Sequence, residues 1–181
     1  MLTNIYDVLR SPKRAMARIA DEADIWKSLN IQAIILFINA LTNQYDATEE
    51  KPLWIILLAV VFAVPIILVL VFIMAGVTHG IARLVGGQGT WKQLFITFGY
   101  TMLPQMLFIP FQVVFLVLGM ETAVIITAVV ASIWEIVLSV FAISQTEKIG
   151  VGKSCFVLFA PSIFVGIIGA IVVIAILGVP Q

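Results

Sequence analysis

One carboxylate stands alone in an apolar setting. Glu135 is the single charged side chain in the run 122–146. On the insertion scale an acid at the centre of a membrane helix costs about 2.5–3.5 kcal/mol, taking Asp as the closest analogue. The twelve Val, Ile, Leu and Phe residues of the same run favour insertion by roughly 5 kcal/mol in total. Insertion is therefore favourable, but the acid needs a polar partner. Ala128, Ala131, Ser132, Glu135, Ser139 and Ala142 fall on one helix face, a small and polar stripe expected to face the bundle interior. Gln105 lies near the middle of the preceding apolar run, and Gln112 two turns further on. A partly protonated Glu135 hydrogen-bonded to Gln105, or to a buried water, satisfies the acid. The chemistry open to such a group is proton or cation handling. A relay would need a second acid, Lys or Arg within the apolar runs, and none is present.

His79 and Arg83 are one helical turn apart at the end of an apolar run. Cations there suit the helix dipole and match an anionic lipid headgroup; a snorkelling pair at the interface accounts for the same residues. Gly86 and Gly87 follow them closely, and these four positions are the candidates for a lipid-headgroup or partner contact. Gly150-Val-Gly-Lys-Ser154 resembles the end of a phosphate-binding loop, but Glu147 occupies the place of the first glycine, so nucleotide binding is not expected. No Ser/His/Asp set, paired carboxylates or HExxH motif is present, and no enzymatic activity is expected. One His and one Cys, Cys155, give neither a metal site nor an intrachain disulfide. No cofactor is expected. The formal net charge is zero and gives no sign of a nucleic-acid partner.

The elements that carry these residues are set by hydropathy. The chain has 181 residues, 62% hydrophobic and 11% charged, too few polar groups to coat a water-soluble globule of this size. Runs 53–78, 93–118, 122–145 and 154–178 each reach the roughly 20 residues that cross a hydrocarbon core. A fifth, 28–45, is uncharged but carries Asn30, Gln32, Asn39 and Asn43. Charge bias arbitrates, because Lys and Arg favour the cytoplasmic side. With five spans, Arg10, Lys13, Arg14, Arg18, Lys27, Arg83, Lys92, Lys148 and Lys153 share one side, and Lys51 stands alone on the other. Without the first span the bias largely disappears. The expected fold is an all-α integral membrane protein with five transmembrane helices, N-terminus cytoplasmic and C-terminus outside. Residues 1–27 form a cytoplasmic tail and 28–181 the transmembrane domain.

Within the tail, Ser11-Pro12 reads as a helix start. Met16, Ile19, Ala20 and Ala23 then recur at helical spacing, which predicts a short amphipathic helix on the inner leaflet. The tail has no continuous apolar core, so no signal peptide is expected. Pro65, Pro104, Pro110 and Pro161 predict kinks inside spans. Gly76 and Gly80 have the spacing that lets membrane helices approach closely. Residues 119–122 are short enough to force an antiparallel hairpin. Segments 86–95 and 150–159 share Gly, Thr/Ser and Leu-Phe positions and suggest related loops.

The order of motifs resembles a known family. Ser11-Pro12 precedes the first span, and His79-Gly80-Ile-Ala-Arg-Leu-Val-Gly86-Gly87-Gln-Gly-Thr-Trp follows the second. Gly99-Tyr100 and Pro104 lie in the third, and Glu147-Lys-Ile-Gly150-Val-Gly152-Lys153 precedes the last. The chain resembles a Yip1-domain membrane protein of the prokaryotic type over nearly its whole length. That resemblance implies a five-helix bundle in the plasma membrane of a prokaryote. Eukaryotic members act in vesicle traffic with lipid-modified Rab-type GTPases, a role that a tail this short in a prokaryote does not inherit directly. The expected function is non-enzymatic binding of membrane partners or lipids, with the bilayer, anionic lipids, a second copy or another membrane protein as partners. The alternative is a small channel or transporter built on Glu135.

Overall fold

The computed structural model describes residues 2–44 and 52–177, and every regular element among them is helical. In chain order these are α1 (Leu2–Arg10), α2 (Pro12–Glu22), α3 (Ile25–Gln44), α4 (Leu53–Leu84), α5 (Trp91–Thr101), α6 (Leu103–Val117), α7 (Glu121–Glu147) and α8 (Val151–Leu177). Tyr45, the acidic segment with Lys51, and residues 178–181 lie outside the described residues. So do the expected far ends of the first and last spans.

Three stretches are long and apolar enough to cross a membrane: Trp54–Leu84, Trp91–Val117 and Glu121–Glu147. The apolar stretches Ile25–Ala40 and Val151–Ile163 are shorter. The surfaces explain why lipid is the solvent. Along α4 only Val60, Ala75, Thr78 and Ala82 are buried among the described side chains, while Val61, Phe62, Ile66 and Val69 stand open. A water-soluble protein does not expose an apolar face of this extent.

Turn chemistry fixes where the helices stop. The sequence ends the second span at 78, yet α4 continues to Leu84, which brings His79 and Arg83 inside the helix. The ladder stops at Gly86, whose φ of 97° lies in the left-handed region that glycine adopts without strain. Gly87 N donates to Ala82 O at 2.8 Å and Gly86 N to Arg83 O at 3.2 Å, the two bonds of a Schellman cap. The same device closes α6. Gly119 has φ 70°, Met120 N donates to Phe115 O at 2.8 Å and Gly119 N to Leu116 O at 3.0 Å. The tight α6–α7 hairpin follows.

The third span departs from expectation. It is two helices, α5 and α6, joined at Met102. Pro104 has no N–H to give to Tyr100 O and its ring crowds that carbonyl, so it opens a new helix instead of kinking one. Gln105 N bonds Met102 O at 3.0 Å, a tightened turn. Pro65, Pro110 and Pro161 remain inside continuous helices.

Helix α7 is the hub, packed by α2, α4, α5, α6 and α8. The main core joins Met16 and Ile19 of α2 to Ile31 of α3, Ile96 and Tyr100 of α5 and Leu138 of α7. Protein therefore covers the apolar stripe of α2 that the sequence assigned to the inner leaflet. Met16, Ile19 and Ala20 are buried against α5 and α7, and Ala23, with φ 45°, ends the helix. The residues before Ser11 add a further helix, α1, tied back by Asp7 to Arg18 at 2.7 Å. Asp24 caps α3 by accepting from Trp26 N and Lys27 N. The Lys27 amide and ammonium hold its carboxyl below the usual carboxylate range. That cap is present above the ordinary Asp value and is lost as pH falls through the lowered one.

The close helix approach falls on a different glycine. A Cβ on Gly76 or Gly80 would meet nothing within 4 Å, whereas one on Gly99 would collide with Ser28 Oγ and Gln32 Nε2. There Ser28 Oγ donates to Ile96 O at 2.8 Å and Gln32 Nε2 to Ser28 Oγ at 3.0 Å, which locks α3 onto α5. The resemblance between the two glycine-containing loops does not extend to local structure. Thr90 caps α5, while its counterpart Ser154 sits a turn inside α8. Gly99→Ala should lower the unfolding free energy in detergent by about 1–3 kcal/mol through overpacking. Gly80→Ala should leave it unchanged or raise it by up to about 1 kcal/mol. Equal denaturation midpoints for the two variants would contradict this packing.

Candidate functional site

Two polar constellations stand out. The first lies at the end of the bundle that carries Arg83, Lys92, Lys148 and Lys153, all exposed. Glu147, the last residue of α7, has no exposed surface. A buried carboxylate must be paired and hydrogen-bonded, and here it is. His79 Nδ1 donates to Glu147 Oε1 at 2.7 Å, and Gly89 N donates to Oε2 at 3.1 Å. Gln88 N donates to the Glu147 backbone carbonyl at 2.9 Å. The loop between α4 and α5 is thus clamped to the end of α7.

Glycine makes the clamp possible. A Cβ on Gly87 would lie 2.7 Å from Glu147 Oε2 and 2.8 Å from Ala82 O. One on Gly89 would strike the Thr146 carbonyl. Around the clamp, Arg83 Nη1 donates to Gly87 O at 3.2 Å and Lys153 Nζ to Val85 O at 3.0 Å. Ser144 Oγ donates to Ile149 O at 2.8 Å, and Thr97 and Thr146 hydroxyls meet at 3.2 Å. The loop then enters α5 through a reciprocal cap. Thr90 N donates to Gln93 Oε1 and Gln93 N to Thr90 Oγ1.

His79, Arg83, Gly86 and Gly87 are therefore brought together, but around Glu147, which was not among the expected site residues. Glu147 follows an apolar run and precedes a Lys-bearing loop, which reads as a solvated acid. The available signal was Gly86, Gly87 and Gly89 in four consecutive positions, a density that points to close backbone approach. Glu147 is also the residue that breaks the phosphate-loop pattern.

The second constellation lies midway along α7, where the first turn of α6 meets it. Gln105 Nε2 donates to Glu135 Oε2 at 3.0 Å. Glu135 and Ser139 border two clefts. One, of about 280 Å³, is shared with Ser132 and with Ser162 of α8. The other, of about 250 Å³, reaches Thr78 of α4 and Thr101 of α5. The stripe expected to face inward is split. Ala131 and Ala142 are buried, while Ser132 is exposed and donates to Ala128 O at 2.9 Å. Gln112 has no side-chain hydrogen bond among the described residues and is not brought to Glu135.

Glu147→Ala leaves the His79 ring and the Gly89 amide without their acceptor. It should cost about 1–3 kcal/mol for each buried donor left unsatisfied. Removing the exposed Glu121 should change stability by less than about 0.5 kcal/mol. In a cycle with His79→Ala the double variant should lose less than the sum of the singles, read from detergent unfolding curves. Strict additivity would mean that the pair carries no coupling.

Comparison with curated proteins and comparison with solved structures each find no match. The Yip1 domain matches residues 6–174, a stretch that runs from α1 through most of α8 and holds both constellations. The chain belongs to the Yip1 domain family.

Proposed function

We propose that this chain is a non-enzymatic, multi-pass protein that holds lipids or membrane-protein partners at its basic end. The observation that carries the reading is the clamp on Glu147. A fully buried carboxylate, two loop amides and a histidine are committed to fixing the shape of one surface, and that surface is rimmed by exposed Arg83, Lys148 and Lys153. His79, Gly86 and Gly87 act in this reading as positioning residues, and Arg83 contacts an anionic headgroup or an acidic partner segment.

Helices α3 and α8 complete five crossings in this reading, with the basic end in the cytosol and the C-terminus outside. The distribution of Lys and Arg supports that orientation. The membrane is the plasma membrane of a prokaryotic cell, in keeping with the motif order. Fusion reporters at the two termini should register opposite compartments; signals from the same side would defeat the five-span topology. Protein extracted in mild detergent should retain anionic lipid or a membrane-protein partner, detected by native mass spectrometry. Arg83→Gln with Lys153→Gln should reduce that retention.

A second reading has its own observation. Glu135, Ser132, Ser139 and Ser162 line one cleft between α7 and α8, a polar set on two otherwise apolar helices. It describes a small channel or transporter. Cation or proton flux in proteoliposomes, abolished by Glu135→Gln with the fold intact, is its expected signature. Flux equal to that of empty liposomes would dispose of it.

A further inference from the structure

Helices α1 and α2 meet at a corner on Ser11, and the corner has two different sides. On one side a cleft of about 440 Å³ is lined by Tyr6, Asp7, Arg10, Ser11, Arg14 and Arg18. On the other, a cleft of about 370 Å³ is formed by Pro12 against Val130, Ile133, Trp134 and Val137 of α7. Both volumes fall within the range of small-ligand sites. Ser11 borders the first and Pro12 the second, so consecutive residues line the two clefts.

The charges on the first side are unequal. Asp7 is committed to Arg18 at 2.7 Å, and Arg18 also approaches Glu22 at 3.6 Å. Arg10 donates to the Tyr6 hydroxyl at 3.2 Å. Neither Arg10 nor Arg14 has a carboxylate partner among the described residues. Three arginines against one aspartate leave the cleft with two uncompensated positive charges, 3 − 1 = 2. The second side is apolar. Val130, Ile133, Trp134 and Val137 are exposed on a stretch apolar enough to cross the membrane.

A ligand that suits both sides carries an anion on a hydrocarbon chain. A soluble phosphate ester would leave the apolar cleft unfilled, and an uncharged chain would leave the two positive charges uncompensated. We propose that the α1–α2 corner is a binding site for an anionic phospholipid. Its phosphate lies between Arg10 and Arg14, and an acyl chain runs past Pro12 along α7. The site is separate from Arg83 and the loops around Glu147. It rests on the reading above that this protein holds membrane lipids.

The test uses the full-length protein in detergent, titrated with phosphatidylglycerol or phosphatidylcholine and read by native mass spectrometry. The wild type should bind phosphatidylglycerol in preference. Arg10→Gln with Arg14→Gln should weaken that binding about twenty-five-fold, roughly five-fold for each arginine removed. Val137→Trp fills the apolar side with both arginines intact and should also reduce binding. Excess inorganic phosphate should not displace the lipid; displacement by phosphate alone would make this a soluble-anion site and overturn the proposal. Wild-type affinity in the double arginine variant, together with loss in Arg83→Gln/Lys153→Gln, would overturn this site while leaving the lipid-holding function in place. A wild type that binds the two lipids equally, with the corner variants unchanged, would overturn this site; a wild type that retains neither lipid would overturn the lipid-holding function as well.

Discussion

The hydrogen bond between His79 and Glu147 organises one whole end of the bundle. The two residues are 68 apart in sequence and belong to the last turns of α4 and α7. Their bond decides where those helices end relative to each other. The loop amides of Gln88 and Gly89 then close on the same residue. With the loop fixed, Thr90 and Gln93 start α5, and Trp91 is set edge-on to Phe72 at 4.7 Å. Gln93 Nε2 also donates to Ala20 O at 3.2 Å, so the end of α2 is held by the same turn. A continuous series of short polar contacts thus runs from Glu147 to the N-terminal helices. Each contact is affordable because an adjacent one removes its desolvation penalty.

The two polar constellations solve different problems. Glu147 sits where the loops offer backbone N–H groups, and its carboxylate accepts from a histidine and an amide. Glu135 sits on a helix whose own amides are already used in the ladder, so only side chains can reach it. Gln105 supplies one hydrogen bond. A carboxyl group accepts more than that, and two clefts open beside it. The first constellation fixes a shape. The second keeps unused hydrogen-bonding capacity, which is why a transport reading attaches to it and not to Glu147.

Hydropathy made the membrane class legible, and α4, α7 and the combined α5–α6 stretch stand where the apolar runs predicted. The Gln105–Glu135 contact was legible because a buried acid leaves few candidates for a partner. Helix ends were less so. Residues 79–84 are polar enough to read as a loop, yet nothing in them opposes helix, and only Gly86 stops the ladder. The break at Met102 was hidden because Pro104 is as compatible with a kink as with a new N-terminus. Glu147 was invisible because its burial is created by long-range contacts. Its nearest sequence neighbours, Lys148 and the end of an apolar run, describe an exposed acid. Likewise Gly76 and Gly80 match a packing pattern that Gly99 fulfils, because the pattern says which residues permit close approach and not which helix arrives.

The amphipathic helix of the tail shows how the same stripe of residues serves two different physical ends. Met16, Ile19 and Ala20 would suit the acyl boundary of a leaflet, but α5 and α7 offer a solid surface that side chains fill more closely than lipid tails can. Once that stripe is covered by protein, α2 cannot slide or roll against the bundle. Its height is fixed against α7, because Pro12 rests beside Val137 and Trp134. The opposite stripe, with Lys13 and Arg14 exposed, then acquires a fixed height as well. A cationic helix floating on a leaflet meets any anion at any depth. Under the lipid-site proposal, one bolted to an apolar helix meets anions at one fixed height, and that restriction would favour an amphiphile of a particular build.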